Sequence, residues 1–209
     1  MKLWGYLLQS KWLCISADRS KRYDNYSKAW EIFSDSDFSA DSNPTVQRAA
    51  TQGTYIEYNG MPILWRSGHG TVATAHAKVK PGHADVSVAA SEIYTLSETA
   101  NRALGLSYRA EEALLPFPLP MTIHVDNSAA IVFQSARAPR SRLVHLDCRL
   151  TWVKQLRDGG VFSVIHTPTL ENKSDMFTKA MTPQPFQRLR DKIMRELPEN
   201  LRKQEVLYG

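Results

Sequence analysis

Hydrophobic positions along this chain fall into two periods. From Trp30 to Phe33 a short apolar run leads into Asp35, Asp37 and Asp41, which predicts a strand with carboxylates at its end and in the turn beyond. Gly53–Tyr58 alternates and closes on Asn59-Gly60, the strongest short hairpin signal, and Met61–Arg66 is the returning strand. Ala89, Ile93, Leu96, Ala100 and Leu104 then recur at helical spacing, so Val88–Leu106 predicts an amphipathic helix. Met121–Asp126 is a further strand ending in an aspartate, Asn127–Phe133 opens a helix, and Leu143–Arg157 is another helix, stopped by Gly159-Gly160. Val161–Ile165 is the last strand, and a final helix after Pro168 carries Asp175. At the ends, Leu3–Ser16 reads as a short helix running into a strand. Residues 17–28 read as a linker, and the stretch after Thr182 as a loop with two prolines followed by a charged amphipathic helix.

The order strand, strand, strand, helix, strand, helix, helix, strand, helix predicts an α/β chain built on a mixed sheet. With 43% hydrophobic and 22% charged residues the composition is that of a folded domain and not of a disordered chain. No apolar run reaches the ~20 residues of a membrane span, and Gln9, Ser10 and Lys11 break the apolar N-terminal stretch, so an intracellular protein is expected. Cys14 and Cys148 make neither a zinc pattern nor a disulfide framework and are read as small apolar fillers. The net charge of +5 is uneven: between Gln134 and Asp158 six basic residues (Arg137, Arg140, Arg142, Arg149, Lys154, Arg157) face two acids. Such a segment fits a polyanion, and it equally fits a solvated helix face. The histidines at 69, 76 and 83 match no ligand spacing and are assigned to a surface loop or hairpin extension.

Four acids stand at four stations of this order: Asp35 at the end of the first strand, Glu92 in the long helix, Asp126 at the end of the fourth strand and Asp175 in the last helix. Separations of 57, 34 and 49 residues hide them from any short motif, yet a mixed sheet can bring all four to one edge. Each has a plainer reading: a turn aspartate, a snorkelling glutamate beside Ile93, or a helix N-cap at Asp126.

Six blocks in order carry a resemblance. Phe33-Ser-Asp-Ser-Asp-Phe-Ser-Ala-Asp41 resembles "YSDADWAGD", and Ala90-Ser-Glu-Ile-Tyr-Thr-Leu-Ser-Glu98 resembles "TEAEYIALSE". His124-Val-Asp-Asn-Ser-Ala-Ala-Ile131 resembles "CDNQSAI", and Ser141-Arg-Leu-Val-His-Leu-Asp-Cys-Arg149 resembles "SRTKHIDIR". Glu171-Asn-Lys-Ser-Asp-Met-Phe-Thr-Lys179 resembles "DQLADILTK", and Arg48 and Gly53 with Gly60–Trp65 resemble the hairpin of the same family. That family is the ribonuclease H domain of copia-type LTR retrotransposon polyproteins, and the likeness runs over roughly residues 30–182. The chain departs from it in a longer segment between Trp65 and Glu92, in Ala90 where the family has an acid, and in Val144 where it has a lysine.

The resemblance implies a ribonuclease H-like fold with a five-stranded mixed sheet flanked by helices. It implies cleavage of the RNA strand of an RNA/DNA hybrid, with Asp35, Glu92, Asp126 and Asp175 holding two Mg²⁺ (or Mn²⁺ in their place) and Asp35 bridging both. Nucleic-acid contacts are expected from Asn127, Arg137, Arg140, Arg142, His145 and Arg149. His166 stands where cellular ribonucleases H carry a histidine ahead of the last aspartate, as a proton shuttle or product-release group, against the reading that it only caps a strand end. The implied organisation is an extension resembling the reverse transcriptase connection plus linker at 1–28, the ribonuclease H-like domain at 29–181 and a basic helical tail at 182–209. Its partners would be the hybrid and the reverse transcriptase of the same polyprotein, in a retrotransposon particle of the cytoplasm or in the nucleus. Two rival classes are a silent domain serving as a structural or nucleic-acid-binding subunit of a large assembly, and a DDE-type integrase, which would want a His/Cys zinc domain upstream.

Overall fold

The Asn59-Gly60 dipeptide makes the turn its chemistry dictates: both residues adopt positive φ, 49° and 72°, which matches the right-handed twist of the strands they join. In the computed structural model, which describes residues 6, 10–15, 29–37, 50–69, 87–115, 117–126 and 144–202, this turn links β3 (Thr51–Tyr58) to β4 (Met61–His69). Strand β2 (Trp30–Asp37) lies antiparallel to β3, and on its other side β5 (Met121–Val125) and then β6 (Phe162–His166) run parallel to it. The order β4-β3-β2-β5-β6 is the five-stranded mixed sheet expected of a ribonuclease H-like α/β fold. A short β1 (Leu13–Ile15) precedes it.

Strand alternation gives the sheet two unlike faces. Ile32, Ile56, Ile123, Val125 and Phe162 point to one, where Leu96, Ala100 and Ala103 of α1 (Ser87–Glu112) and Val153 of α2 (Val144–Asp158) cover them. The two fully buried alanines let α1 lie close to the strands. Each large aliphatic side chain removed from water here contributes about 1.5–3 kcal/mol. Thr99 adds a polar pin, exchanging hydroxyl contacts with Thr54 (2.8 Å) and Ser34 (3.3 Å). On the opposite face Phe33 and Tyr55 pack against Met176, Phe177, Ile193 and Met194, so the C-terminal part of the chain closes the second layer.

That part differs from the pattern-based expectation. The helix expected after Pro168 is two 3₁₀ turns, Thr169–Glu171 and Lys173–Phe177. Asn172 interrupts it: in an extended conformation, its side chain accepts from the backbone N–H of Ser174, starting a new turn instead of extending the old one. The two prolines after Thr182 do not mark a loop. Pro183 and Pro185 sit in the first turn of α3 (Pro183–Ile193), where a missing N–H costs nothing, behind an extended Thr182. The tail is not wholly helical either: β7 (Met194–Glu196) follows α3 and pairs antiparallel with β1, before a last turn, α4 (Glu199–Arg202). The N-terminal extension is thus tied to the C-terminal tail, and Tyr6 meets Phe186 of α3 edge to face at 6.0 Å.

Both α1 and β4 run beyond their expected ends, and β2 extends through Asp35 to Asp37, so Asp35 is a strand residue and not a turn residue. Cys14 is half-buried between β1 and β7, whereas Cys148 is exposed and so is not a core filler. The helix expected at 127–133, Asp41 and the segment at 70–86 with His76 and His83 lie outside the described residues. Among the described residues no helix is long and apolar enough to cross a membrane.

Candidate metal centre

Along the β2/β3 ladder, three pairs face the C-terminal layer: Glu31 opposite Glu57, Phe33 opposite Tyr55 and Asp35 opposite Gly53. The glycine is required by what lies over it. A Cβ on residue 53 would meet Thr178 Cγ2 at 2.6 Å and the Ser174 carbonyl oxygen at 2.8 Å. Because residue 53 has no side chain, the second 3₁₀ turn settles onto the sheet beside Asp35, and the Thr178 hydroxyl donates to Asp35 Oδ2.

Asn172, fully buried, fixes that turn. Its Nδ2 donates to the Ser34 carbonyl of β2 (3.1 Å), and its Oδ1 accepts from the Ser174 hydroxyl (2.6 Å) and, more loosely, from the Ser174 N–H (3.2 Å). Asp175 is carried on this turn to a position only 1% exposed. From the other layer, Ser91 of α1 donates to Ser36 of β2 (2.8 Å), which docks the start of the helix at the end of the strand and presents Glu92, 5% exposed. Asp126 follows directly on β5 and accepts from Thr169 (3.1 Å).

Asp35, Glu92 and Asp126 each offer an oxygen, and the three lie within 4.8 Å of one another. Asp175 joins them electrostatically: burial foremost, then the charge of Asp126, pushes its carboxyl above the usual range, against the pull of Lys179, whose Nζ is 2.9 Å from its Oδ2. Its Oδ1 is buried with no hydrogen-bond partner, a group that ordinarily costs about 1–3 kcal/mol, or more when charged. Asp35 titrates at about 8, raised mainly by burial and then by Asp175 and Asp126, although the Thr178 hydrogen bond opposes this. A bound cation would offset both the burial and the neighbouring charges that raise Asp35 and Asp175. An all-oxygen donor set with one unpartnered buried oxygen fits a hard divalent ion such as Mg²⁺ or Mn²⁺. All four acids expected to act together are therefore found at one end of the sheet.

The remaining candidates are distributed differently. Asn127, Arg137, Arg140 and Arg142 lie outside the described residues. His145 is on α2, its side chain likewise outside them. Arg149 turns inward, bridging α2 to Glu98 (2.7 Å) and Ser97 (2.9 Å) of α1, with its guanidinium 4.4 Å from the centre of the Tyr94 ring. His166 is exposed at the end of β6, in register with Val125 and so level with the end of β5 that carries Asp126. Pattern reading missed Gly53, Asn172, Thr178 and Lys179. Only Asn172-x-Ser174, an Asn poised to cap a new turn, carried a local signal.

No family model matches the sequence. Among solved structures, the chain is similar to LC11-RNase H1 in its complex with an RNA/DNA hybrid, at 15% identity and a TM-score of 0.45, over 71% of this chain and 93% of that one.

Proposed function

We propose that this chain is a divalent-metal-dependent ribonuclease H that cuts the RNA strand of an RNA/DNA hybrid. The observation that carries the reading is the convergence of Asp35, Glu92 and Asp126 on one point, with the unpartnered oxygen of Asp175 buried beside them. Those four residues would hold the metal. Its chemistry there would be to activate a water and to neutralise the leaving oxygen of a phosphodiester.

The chain's own residues supply the rest. Asn172 and Gly53 place Asp175, the Thr178 hydroxyl orients Asp35, and Ser91 and Ser36 hold the start of α1 against β2 so that Glu92 stands beside Asp35 and Asp126. Thr169 orients Asp126. His166, exposed and level with Asp126, would exchange protons with solvent or assist product departure. Selectivity for RNA would come from contacts to 2′-hydroxyls, and the basic residues between Arg137 and Arg157 that are not engaged internally would track phosphates.

The copia-like blocks support a finer reading: a polyprotein fragment in which residues 1–28 join the domain to a reverse transcriptase and which works in a retrotransposon particle in the cytoplasm or nucleus. Incubating the purified chain with a labelled hybrid and Mg²⁺ tests the activity. RNA fragments ending in 3′-hydroxyl are expected, with duplex DNA left intact and no cleavage in EDTA. Failure to cut in Mg²⁺ or Mn²⁺ would turn the reading over to a silent, nucleic-acid-binding subunit.

A further inference from the structure

Among the described residues Lys179 is a cation paired directly with the carboxylate cluster, and its surroundings are unusual for a lysine. The ammonium is 2.9 Å from Asp175 Oδ2, two-thirds withdrawn from solvent, on the residue next to the threonine that holds Asp35. Asp175 accepts its hydrogen bond, and Asp35 and Asp126 lie near enough for their charges to act on it. The field of the cluster is therefore felt at this nitrogen, and by reciprocity the ammonium is felt by the cluster.

We infer that Lys179 is a resident counter-cation of the carboxylate cluster, which lowers the charge seen by an incoming divalent ion and so sets how tightly that ion is held. The inference rests on the proposed metal site. Two neighbouring residues divide the work: Thr178 fixes Asp35 by a hydrogen bond that brings no charge, and Lys179 fixes Asp175 by one that does. A cluster with one of its charges offset can fold before any metal arrives. It then binds the ion weakly enough that substrate phosphate oxygens would be needed to complete the site. Lys179 is thus a positioning residue, acting through Asp175.

The test is a calorimetric Mg²⁺ titration of the whole chain without nucleic acid, repeated with Mn²⁺ by electron paramagnetic resonance. Lys179→Gln keeps a donor for Asp175 and drops the charge, Lys179→Met drops both, and Lys179→Arg keeps the charge. Expected is metal affinity about tenfold tighter in Lys179→Gln and Lys179→Met, unchanged in Lys179→Arg, together with a lower metal-free melting temperature in the first two. The Mg²⁺ concentration for half-maximal cleavage should fall in the same proportion. Affinity that is unchanged or weaker in Lys179→Gln, in a protein whose wild type binds Mn²⁺, overturns the inference alone. A wild type whose titration cannot be told from that of Asp126→Asn overturns the metal site itself.

Discussion

Two acidic clusters share the same face of the central sheet, four residues apart along β2, and they solve the cost of buried carboxylates in opposite ways. At Glu31 and Glu57 the solution is internal. Lys173 reaches both, 2.5 Å from Glu57 and 3.2 Å from Glu31, Tyr55 donates to Glu57 at 2.8 Å, and the ammonium lies 5.0 Å from the centre of the Phe33 ring. Burial and the facing Glu31 still raise Glu57 above the usual carboxyl range, but every group there has a partner in the chain. At the second cluster, that of Asp35, Glu92, Asp126 and Asp175, Lys179 pairs with Asp175 and lies within the field of Asp35 and Asp126, and an oxygen of Asp175 is left over. A cluster that satisfies itself is a structural joint. One in which Asp35 and Asp175 are raised and an acceptor is left unused is a cluster that a bound cation would complete.

The sharpest way to break this contrast is to remove one acid from each cluster. Asp126→Asn should lower hybrid cleavage by about a thousandfold or more, as expected for a residue that holds metal. It should leave the metal-free melting temperature unchanged or raised, since a repelling charge is gone. Residual cleavage within tenfold of wild type, or a large drop in melting temperature, would make the second cluster a joint like the first.

The mirror experiment is Lys173→Met, which strands Glu31 and Glu57 against each other in the interior. A loss of about 3–5 kcal/mol is expected in chemical denaturation, the usual cost of leaving a buried charge without its partner. Adding Glu57→Gln should restore much of it, because the orphaned charge is then removed as well. Equal losses in the single and double variants would mean that Lys173 contributes packing and not charge.

These two clusters were unequally legible in the sequence. The alternation Glu31-x-Phe33-x-Asp35 states that both acids lie on one face, and the Asn59-Gly60 turn sets the register that brings Glu57 and Gly53 opposite them. The four acids of the candidate metal centre could be nominated because each ends or sits within a predicted strand or helix. Lys173 could not be matched with Glu57, 116 residues away, because nothing local records a pairing between layers. The same holds for β1 with β7, two three-residue strands too short to have a pattern, whose partners are set by chain closure. Asp175 was placed on one helix after Pro168. The side chain of Asn172, which caps a new turn and bonds the Ser34 carbonyl, divides that segment into two 3₁₀ turns, and no apolar period in the sequence announces such a break.

Gly53 lies opposite Asp35, under the 3₁₀ turn that carries both Lys173 and Asp175, and Gly53→Ala probes that shared turn. The added methyl collides with Thr178 and with the Ser174 carbonyl, so the 3₁₀ turn must lift. About 1–3 kcal/mol of stability should be lost, in the range of an overpacked core, and metal affinity should fall because Thr178 loses its hold on Asp35 while Lys173 keeps Glu57. Full stability with unchanged metal binding would show that the turn can move without consequence.

The smallest expected effect is the most particular to the metal cluster, and it appears as a slope against pH in the metal-free chain. Asp35 titrates at about 8 in the folded state against an ordinary value of 3.8, so between those limits the native chain holds a proton that the unfolded chain has released. Stability must then fall as pH rises through that window. His124 acts in the other direction. Burial against Phe33 lowers it to about 4 from 6.5, so between those values the unfolded chain binds a proton that the native chain refuses, and stability rises with pH. From about pH 4 to 6.5 these two groups oppose each other, and Asp175 and Glu57, also raised, tilt the balance toward a shallow fall. From 6.5 to 8 His124 no longer offsets Asp35, and the fall steepens. The limiting slope is about 1.4 kcal/mol per pH unit for each proton. Asp35→Asn should flatten the upper window, and His124→Phe should extend the fall down toward pH 4. Millimolar Mg²⁺ should abolish the fall in the wild type, since the ion binds only the ionised acids. A metal-free melting temperature that climbs from pH 6.5 to 8, or that is insensitive to Asp35→Asn, would show that the carboxylates at the end of β2 do not crowd one another, and the contrast with the Lys173 joint would be lost.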